Sequence, residues 1–125
     1  MAKTVLIVDD NAFVRRALCD LFTRESDIKV CGEAENGRLA IDEARRLKPD
    51  LIVLDLLMPV MNGLDAARAL KRLMPSVPLI MYSAFEDRFS EKVARLAGIS
   101  ALVSKYQHVS VLIDKARSLL YPRAA

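Results

Sequence analysis

The feature that most constrains the fold of this chain is an alternation of short apolar runs with segments of helical period. Apolar runs occur at residues 4–8, 28–31, 51–54, 79–82 and 101–103, and between them apolar side chains recur every three or four positions. Runs of this length indicate strands, and the intervening spacing indicates amphipathic helices. Strands that alternate with helices favour a parallel sheet covered by helices on both faces. The sequence therefore predicts an α/β fold of five strand–helix pairs.

The composition of the apolar runs predicts the order of the strands in the sheet. VLIV at 5–8, LIVL at 51–54 and LIMY at 79–82 are apolar at every position, as strands covered on both faces are. The second run alternates, with Lys29 and Glu33 on one face, and the fifth, ALVS, is short. These two are expected at the edges. Short right-handed crossovers then give the order 2-1-3-4-5, a flavodoxin-like (βα)5 three-layer sandwich.

Polar and glycine residues mark the ends of the helices. The first helix starts after Asp10-Asn11, which can cap it, the second opens at Asn36, and the third follows Asn62-Gly63. The fourth is expected to stop at Gly98. Its apolar stripe is assigned to Phe89, Val93, Leu96 and Ala97.

Length and charge narrow the class of protein. The 125 residues fit one domain over 1–125. No apolar run approaches the roughly 18 residues that a membrane span needs, and the N-terminus lacks a secretory signal, so a cytoplasmic protein without membrane contact is expected. The net charge is +3 and the basic residues are dispersed. Nucleic-acid binding usually requires a clustered basic stripe, so no direct nucleic-acid binding is expected.

Cysteine and histidine are too few for a disulfide framework or a histidine metal site. Cys19 and Cys31 are the two cysteines, and His108 is the single histidine. A secreted domain held by disulfides usually carries more cysteines. We expect both thiols to be buried or half-buried and His108 to face solvent.

Charged and hydroxyl side chains follow the predicted strands at the point where each strand ends. Asp9 and Asp10 follow the first strand, Asp55 the third, Ser83 the fourth and Lys105 the fifth. In such sheets ligands bind outside the carboxyl ends of the strands, where the strand order reverses. The aspartate that interrupts LIVLDLLMP is therefore expected at the mouth of the core, since a buried unpaired carboxylate is strongly disfavoured.

This set of residues predicts a cation site. Three neighbouring carboxylates repel one another, and Lys105 supplies only a single positive charge. A hard divalent ion with oxygen ligands fits the remainder, and Mg²⁺ is the natural candidate. The four glycines form neither GxGxxG nor a P-loop, so a nucleotide cofactor is not expected.

With a cation present, one carboxylate can act as a nucleophile toward a phosphoryl group. Asp55 suits this role because it stands alone on the central loop, with Ser83 and Lys105 placed to contact the phosphoryl oxygens. Each residue also has a simpler interpretation. Asp10 would then be a helix cap, Ser83 the start of the fourth helix, and Lys105 a surface lysine.

At this point the sequence resembles the receiver domain of two-component response regulators over essentially its full length. The resemblance lies in VLIVDDNAFVRRAL, EAENGRLAIDEARRLKPDLIVLDLLMPVMNGLDAARALK, PLIMYSA and AGISALVSK. It implies that Asp55 is the phosphoacceptor, Ser83 the switch hydroxyl and Lys105 the phosphate contact. It also implies an Mg²⁺ site formed by Asp9, Asp10, Asp55 and the main-chain carbonyl of Leu57.

The resemblance also implies partners and output. The phosphodonor would be a phosphohistidine on a sensor histidine kinase or phosphotransfer protein, with acetyl phosphate as a substitute. Phosphorylation would shift the face formed by helix 4, strand 5 and helix 5, without conventional enzyme activity. CGEAENGRLAI and the VRRAL helix are most similar to receivers that precede a LuxR-type helix-turn-helix domain, so transcriptional regulation and a homodimer are expected.

Two positions depart from the family pattern. Leu102 stands where an aromatic residue is frequent, and Tyr106 stands where proline commonly follows the lysine in a cis bond. Tyr106 has an N–H and a strong trans preference, so a differently shaped loop is expected. Tyr82 and Phe85 flank the site and would supply aromatic packing instead.

Two alternative functions remain open from the sequence. The departures at Leu102 and Tyr106 favour a receiver-like interaction module that works without phosphate. A hydrolase of the haloacid dehalogenase type also places an aspartate after an apolar strand. Those enzymes resemble DxDx[TV], whereas Leu56, Leu57 and Met58 follow Asp55 here.

Overall fold

The computed structural model describes residues 2–84 and 91–122. Five parallel strands form one sheet in the order β2-β1-β3-β4-β5. The strands are β1 (Lys3–Val8), β2 (Ile28–Ala34), β3 (Leu51–Leu54), β4 (Leu79–Ser83) and β5 (Ala101–Ser104). The helices are α1 (Ala12–Thr23), α2 (Gly37–Leu47), α3 (Gly63–Leu73), α4 (Glu91–Leu96) and α5 (Val109–Leu120). The predicted fold class and strand order are confirmed.

The core consists of two apolar layers, one on each face of the sheet. Successive residues of a strand point to opposite faces, so Val5 and Ile7 of β1 pack in the layer with α1 and α5, whereas Leu6 and Val8 pack in the layer with α2, α3 and α4. All residues of β3 and β4 are buried, whereas β2 and β5 are only partly buried. This burial explains why the central strands are apolar throughout.

Asparagine side chains fix where three of the helices begin. Asn11 Oδ1 accepts hydrogen bonds from the N–H groups of Phe13 and Val14, at 2.9 and 3.2 Å. Asn36 and Asn62 cap α2 and α3 in the same way. These caps satisfy N–H groups that the first helical turn leaves without partners. They also set the ends of the loops that follow β1, β2 and β3.

The apolar stripe predicted for α4 is wrong in part. Val93 and Leu96 are exposed, at 38% and 77%, whereas Ala94 and Ala97 are buried at 2% and 1%. Small side chains let a helix backbone approach the sheet closely, so α4 packs through its alanines and turns its larger apolar residues outward. The chain then turns at Gly98, with φ of 93°, as predicted. Phe85 and Phe89 lie outside the described residues.

The predicted half-burial of both cysteines and the predicted exposure of the histidine are confirmed. Cys19 and Cys31 are free and half-buried. His108 is exposed and caps α5, since its side chain accepts a hydrogen bond from the Ser110 N–H. No helix in the described part of the chain is long and apolar enough to cross a membrane.

Candidate functional site

Three carboxylates meet at the carboxyl edge of the sheet. Asp9, Asp10 and Asp55 each place a carboxylate oxygen within 4.8 Å of the others. They come together because β1 and β3 pair in parallel, with Val8 opposite Leu54, so the loops after both strands open at the same edge. Asp9 and Asp55 are buried, at 1% and 8% exposure, and Asp10 is exposed.

Lys105 lies among these carboxylates. Its Nζ is 3.0 Å from Asp9 Oδ2 and 3.4 Å from Asp55 Oδ1, and it lies 5.8 Å from the centre of the Tyr82 ring. The interpretation of Lys105 as a surface lysine is therefore wrong, since its side chain is 21% exposed and holds two ion pairs. Burial alone lowers the pKa of Lys105, but the hydrogen bond and charge of Asp9 and the charge of Asp55 raise it above its usual range.

The electrostatics of Asp55 favour a bound cation. Burial raises the pKa of the Asp55 carboxyl, the charge of Lys105 lowers it, and the neighbouring Asp9 raises it again, so the net direction is upward. Lys105 therefore only partly offsets burial and the second carboxylate. A divalent cation at this position would favour the ionised carboxylate.

The donor set fits Mg²⁺. Carboxylate oxygens are the hard ligands that this ion prefers, and it usually retains several waters. The exposed Asp10 carboxylate accepts no hydrogen bond within the described residues. Asn11, and not Asp10, accepts the hydrogen bonds that cap α1. The interpretation of Asp10 as the cap is therefore wrong, and its oxygens stay available to a cation. Leu57 is exposed in the same loop as Asp55, two residues further along.

Ser83 is the last residue of β4 and does not begin a helix. It is buried at 3% exposure, and its carbonyl oxygen accepts a hydrogen bond of 2.9 Å from the Lys105 N–H. Ala84 follows and is half-buried. The two residues therefore sit at the carboxyl edge where the acids and Lys105 meet.

Arg15 is a functional candidate that the sequence reasoning missed. Its Nη1 donates to the Asp9 carbonyl oxygen at 2.8 Å, and its Nε donates to Glu33 of β2 at 3.0 Å. The Asn11 N–H donates to Asp9 Oδ1 at 2.9 Å. The two hydrogen bonds to Asp9, from Arg15 and from the Asn11 N–H, hold the loop that carries the paired acids. The sequence signal for this role is weak, since Arg15 is marked only by its position one helical turn after Asn11.

The loop from β3 to α3 is closely packed behind Asp55. The Gly63 N–H donates to the Leu56 carbonyl oxygen at 2.7 Å, and a Cβ on Gly63 would overlap the Asp55 carbonyl oxygen. The Met61 N–H donates to the Pro59 carbonyl oxygen at 2.7 Å, and Val60 between them has φ of 70°. This is a γ-turn with a positive φ, which is rare and strained. The loop therefore requires glycine at 63 and forces an unfavourable conformation on Val60.

The fold and this acidic edge define a class of protein. Residues 5–117 match the family model of the response regulator receiver domain, so the chain belongs to this family. Membership implies a phosphorylation-dependent signalling switch, as the resemblance predicted.

Individual proteins with related sequences also align with most of the chain. The chain is 40% identical to the chemotaxis protein CheY of Thermotoga maritima over 105 residues, covering 84% of this chain and 87% of CheY. It is 37% identical to a protein-glutamate methylesterase/protein-glutamine glutaminase of Nocardioides sp. over 126 aligned positions, covering 95% of this chain but 34% of that protein. The chain thus spans about a third of the length of that relative.

Solved structures show the same fold. The response regulator domain of Thermotoga maritima CheB superposes with a TM-score of 0.89 at 30% identity, covering 99% of this chain and 100% of that chain. LuxR-family response regulators share the fold at 24% and 20% identity, which is a likeness of fold alone. The predicted LuxR-type output thus lacks support from the sequence relatives described above.

Proposed function

We propose that Asp55 is the phosphoacceptor of this receiver domain. A carboxylate oxygen of Asp55 bonds to phosphorus as the bond between phosphorus and the donor histidine nitrogen breaks. The imidazole leaves with that electron pair and takes a proton from solvent. The product is an aspartyl phosphate at the carboxyl edge of the sheet.

The paired acids support Mg²⁺ at this edge. Asp9, Asp10, Asp55 and the Leu57 carbonyl would hold the ion, which when bound offsets negative charge on the carboxylates and the incoming phosphoryl group. Lys105, already within 3.0 Å of Asp9 and 3.4 Å of Asp55, contacts a phosphoryl oxygen. Ser83 supplies the switch hydroxyl from the end of β4.

One observation supports this proposal most directly: three carboxylates and one ammonium group, carried by the loops that follow β1, β3 and β5, converge at one edge of the sheet. Incubation with acetyl phosphate and Mg²⁺, followed by intact mass measurement, should show one added phosphoryl group. Asp55→Asn should show none, and a chelator should abolish the gain. Asp42→Asn, an exposed carboxylate on α2, is the control. An unchanged gain in Asp55→Asn would contradict the proposal.

Exposed apolar side chains around the acidic edge support a protein phosphodonor. Phe13, Leu57, Val60 and Tyr106 are 87%, 51%, 76% and 78% exposed in the loops and first helical turn at this edge. Apolar residues grouped in this way mark protein contacts. We expect Phe13→Ala to slow transfer from a histidine kinase or phosphotransfer protein but not from acetyl phosphate. Equal slowing with both donors would count against docking through Phe13.

The output surface is proposed on α4, β5 and α5. Val93 and Leu96 present exposed apolar side chains on α4, and phosphorylation biases this face between two packings. Transcriptional output through a LuxR-type domain, with a homodimer, rests on the VRRAL and CGEAENGRLAI resemblance. The likeness to CheY over 87% of its length favours chemotaxis signalling as a second candidate. Partner binding that is unchanged in Asp55→Ala would instead favour the phosphate-independent module.

A further inference from the structure

We propose that Ser104 and Gln107 are positioning residues that aim Lys105 at the phosphoryl site through a turn closed by their own side chains. The inference rests on the proposed function, because it concerns the contact of Lys105 with the phosphoryl group. Neither residue touches the carboxylates in the structure. They act through the backbone of Lys105.

Three hydrogen bonds within residues 104–107 close the turn that follows β5. The Tyr106 N–H donates to Ser104 Oγ at 3.0 Å, and the Ser104 N–H donates to Gln107 Oε1 at 3.1 Å. The Gln107 N–H donates to the Ser104 carbonyl oxygen at 3.2 Å. Ser104 is buried at 4% exposure, so its hydroxyl is fixed in the protein interior.

The two side-chain acceptors satisfy backbone N–H groups that would otherwise have no hydrogen-bond partner in the turn. β5 is an edge strand, and no described strand pairs with the N–H groups on its outer side. The Ser104 N–H therefore requires another acceptor, such as Gln107 Oε1. The Tyr106 N–H is a donor that proline would lack, and Ser104 Oγ satisfies it. The described peptide bonds contain no cis bond. The side chains thus hold a trans turn at the position where the family commonly has a cis proline.

The turn decides where the Lys105 ammonium lies. The Lys105 N–H is tied to the Ser83 carbonyl oxygen at 2.9 Å, which joins one side of the turn to β4. A lysine side chain is long and flexible, so the direction of its stem depends on the backbone that carries it. Its Nζ reaches both Asp9 and Asp55 from this single backbone position. Loosening the turn on the far side of Lys105 would let Nζ move away from the phosphoryl site.

Three variants test the inference. Ser104→Ala removes the hydroxyl that accepts from the Tyr106 N–H. Gln107→Met removes the oxygen that accepts from the Ser104 N–H and keeps a side chain of similar length, whereas Gln107→Glu keeps an acceptor oxygen. Gln107 is exposed, so its substitutions leave the core intact. Ser100→Ala is the matched control, because Ser100 Oγ accepts a hydrogen bond of 3.2 Å from the Leu79 N–H at the opposite end of β5.

Calorimetric titration measures the affinity for Mg²⁺ and, with Mg²⁺ present, for beryllofluoride as a stable phosphoryl mimic. We expect Ser104→Ala and Gln107→Met to lose affinity for beryllofluoride and to slow phosphorylation by acetyl phosphate, each by about tenfold, because small misplacements of a contacting group are costly. Their Mg²⁺ affinity should not fall, because Lys105 is not a ligand of the ion. Gln107→Glu and Ser100→Ala should behave as wild type.

The outcomes separate the two proposals. If wild type fails to bind beryllofluoride with Mg²⁺, the proposed function fails. If wild type binds and Ser104→Ala and Gln107→Met bind equally well, the positioning role is overturned. It is also overturned if Mg²⁺ affinity falls in parallel, or if Ser100→Ala loses as much, since either result indicates general loosening of the sheet edge.

Discussion

Substitution of Gly63 by alanine should damage both stability and phosphorylation, because Gly63 packs directly behind Asp55, the proposed phosphoacceptor. A Cβ there would lie 2.9 Å from Leu56 Cα and 3.0 Å from the Asp55 carbonyl carbon, and it would overlap the Asp55 carbonyl oxygen. The neighbours are backbone atoms, so no side chain can rotate to make room. The backbone of Asp55 itself must move.

The size of the effect follows from these distances. The contact to Leu56 Cα is about 0.5 Å below the 3.4 Å at which ordinary contacts begin. Overpacking of this kind costs about 2 kcal/mol of the free energy of unfolding, which lowers Tm by about 8 °C for a chain of this size. Because the displaced group is the backbone of Asp55, the rate of phosphorylation by acetyl phosphate should fall by about tenfold or more.

Thermal unfolding followed by circular dichroism and the acetyl phosphate reaction followed by intact mass measure the two effects. Gly32→Ala is the matched control. Its Cβ would meet Leu47 Cδ1 at 2.5 Å, the far end of a flexible side chain, and alanine suits a strand better than glycine by about 0.5–1 kcal/mol. Gly32→Ala should therefore remain near wild type in both assays.

The reasoning is refuted if Gly63→Ala keeps both the Tm and the phosphorylation rate of wild type. Equal losses in Gly63→Ala and Gly32→Ala would also refute it, since Gly32 has no contact with Asp55. A normal phosphorylation rate with a lowered Tm would show that α3 moves to accommodate the added methyl group and that the Asp55 backbone keeps its position.

Three further predictions concern charge, backbone strain and thiol reactivity. Lys105→Met should raise Mg²⁺ affinity in calorimetry while slowing phosphorylation, because its ammonium, 3.0 Å from Asp9, repels a divalent ion; weaker Mg²⁺ binding would contradict this. Val60→Gly should raise the free energy of unfolding in urea by about 1 kcal/mol by relieving the positive φ, whereas Val93→Gly on α4 should lower it. Burial raises the pKa of Cys19 to about 11 from 9.0, so native Cys19 should be alkylated about 100-fold more slowly at pH 8 than in urea. Because the folded-state pKa is the higher one, stability should also fall as pH rises from about 9 to 11, and equal alkylation rates in the two states would refute the shift.

The sheet and the acidic edge could be predicted from the sequence because both follow from local patterns. Strands buried on both faces are apolar throughout, so β1, β3 and β4 could be assigned to the centre. Parallel strands then bring the residues that follow them to one edge. The strand order alone was therefore enough to predict that Asp9, Asp55 and Lys105 lie close together.

The supporting contacts could not be predicted, because they depend on packing between distant segments. In the sequence, Arg15 cannot be distinguished from an arginine on the solvent-facing side of a helix. Only the tertiary position of Glu33 on β2 shows why the Arg15 side chain turns toward Asp9. Gly63 marks a helix start in the sequence, but its contact with the Asp55 backbone requires the tertiary structure. Hydrophobicity likewise cannot tell which face of α4 approaches the sheet, since close approach depends on side-chain size.

The attachment of α4 through small residues has a thermodynamic consequence. Ala94 and Ala97 bury little more than a methyl group each, and one such group contributes about 0.8 kcal/mol. A new hydrogen bond to a charged group is worth about 1.5–3 kcal/mol. The contribution of these two buried alanines and the energy that the proposed phosphoryl group could add are therefore of the same order, so phosphorylation would be sufficient to alter the packing of this part of α4.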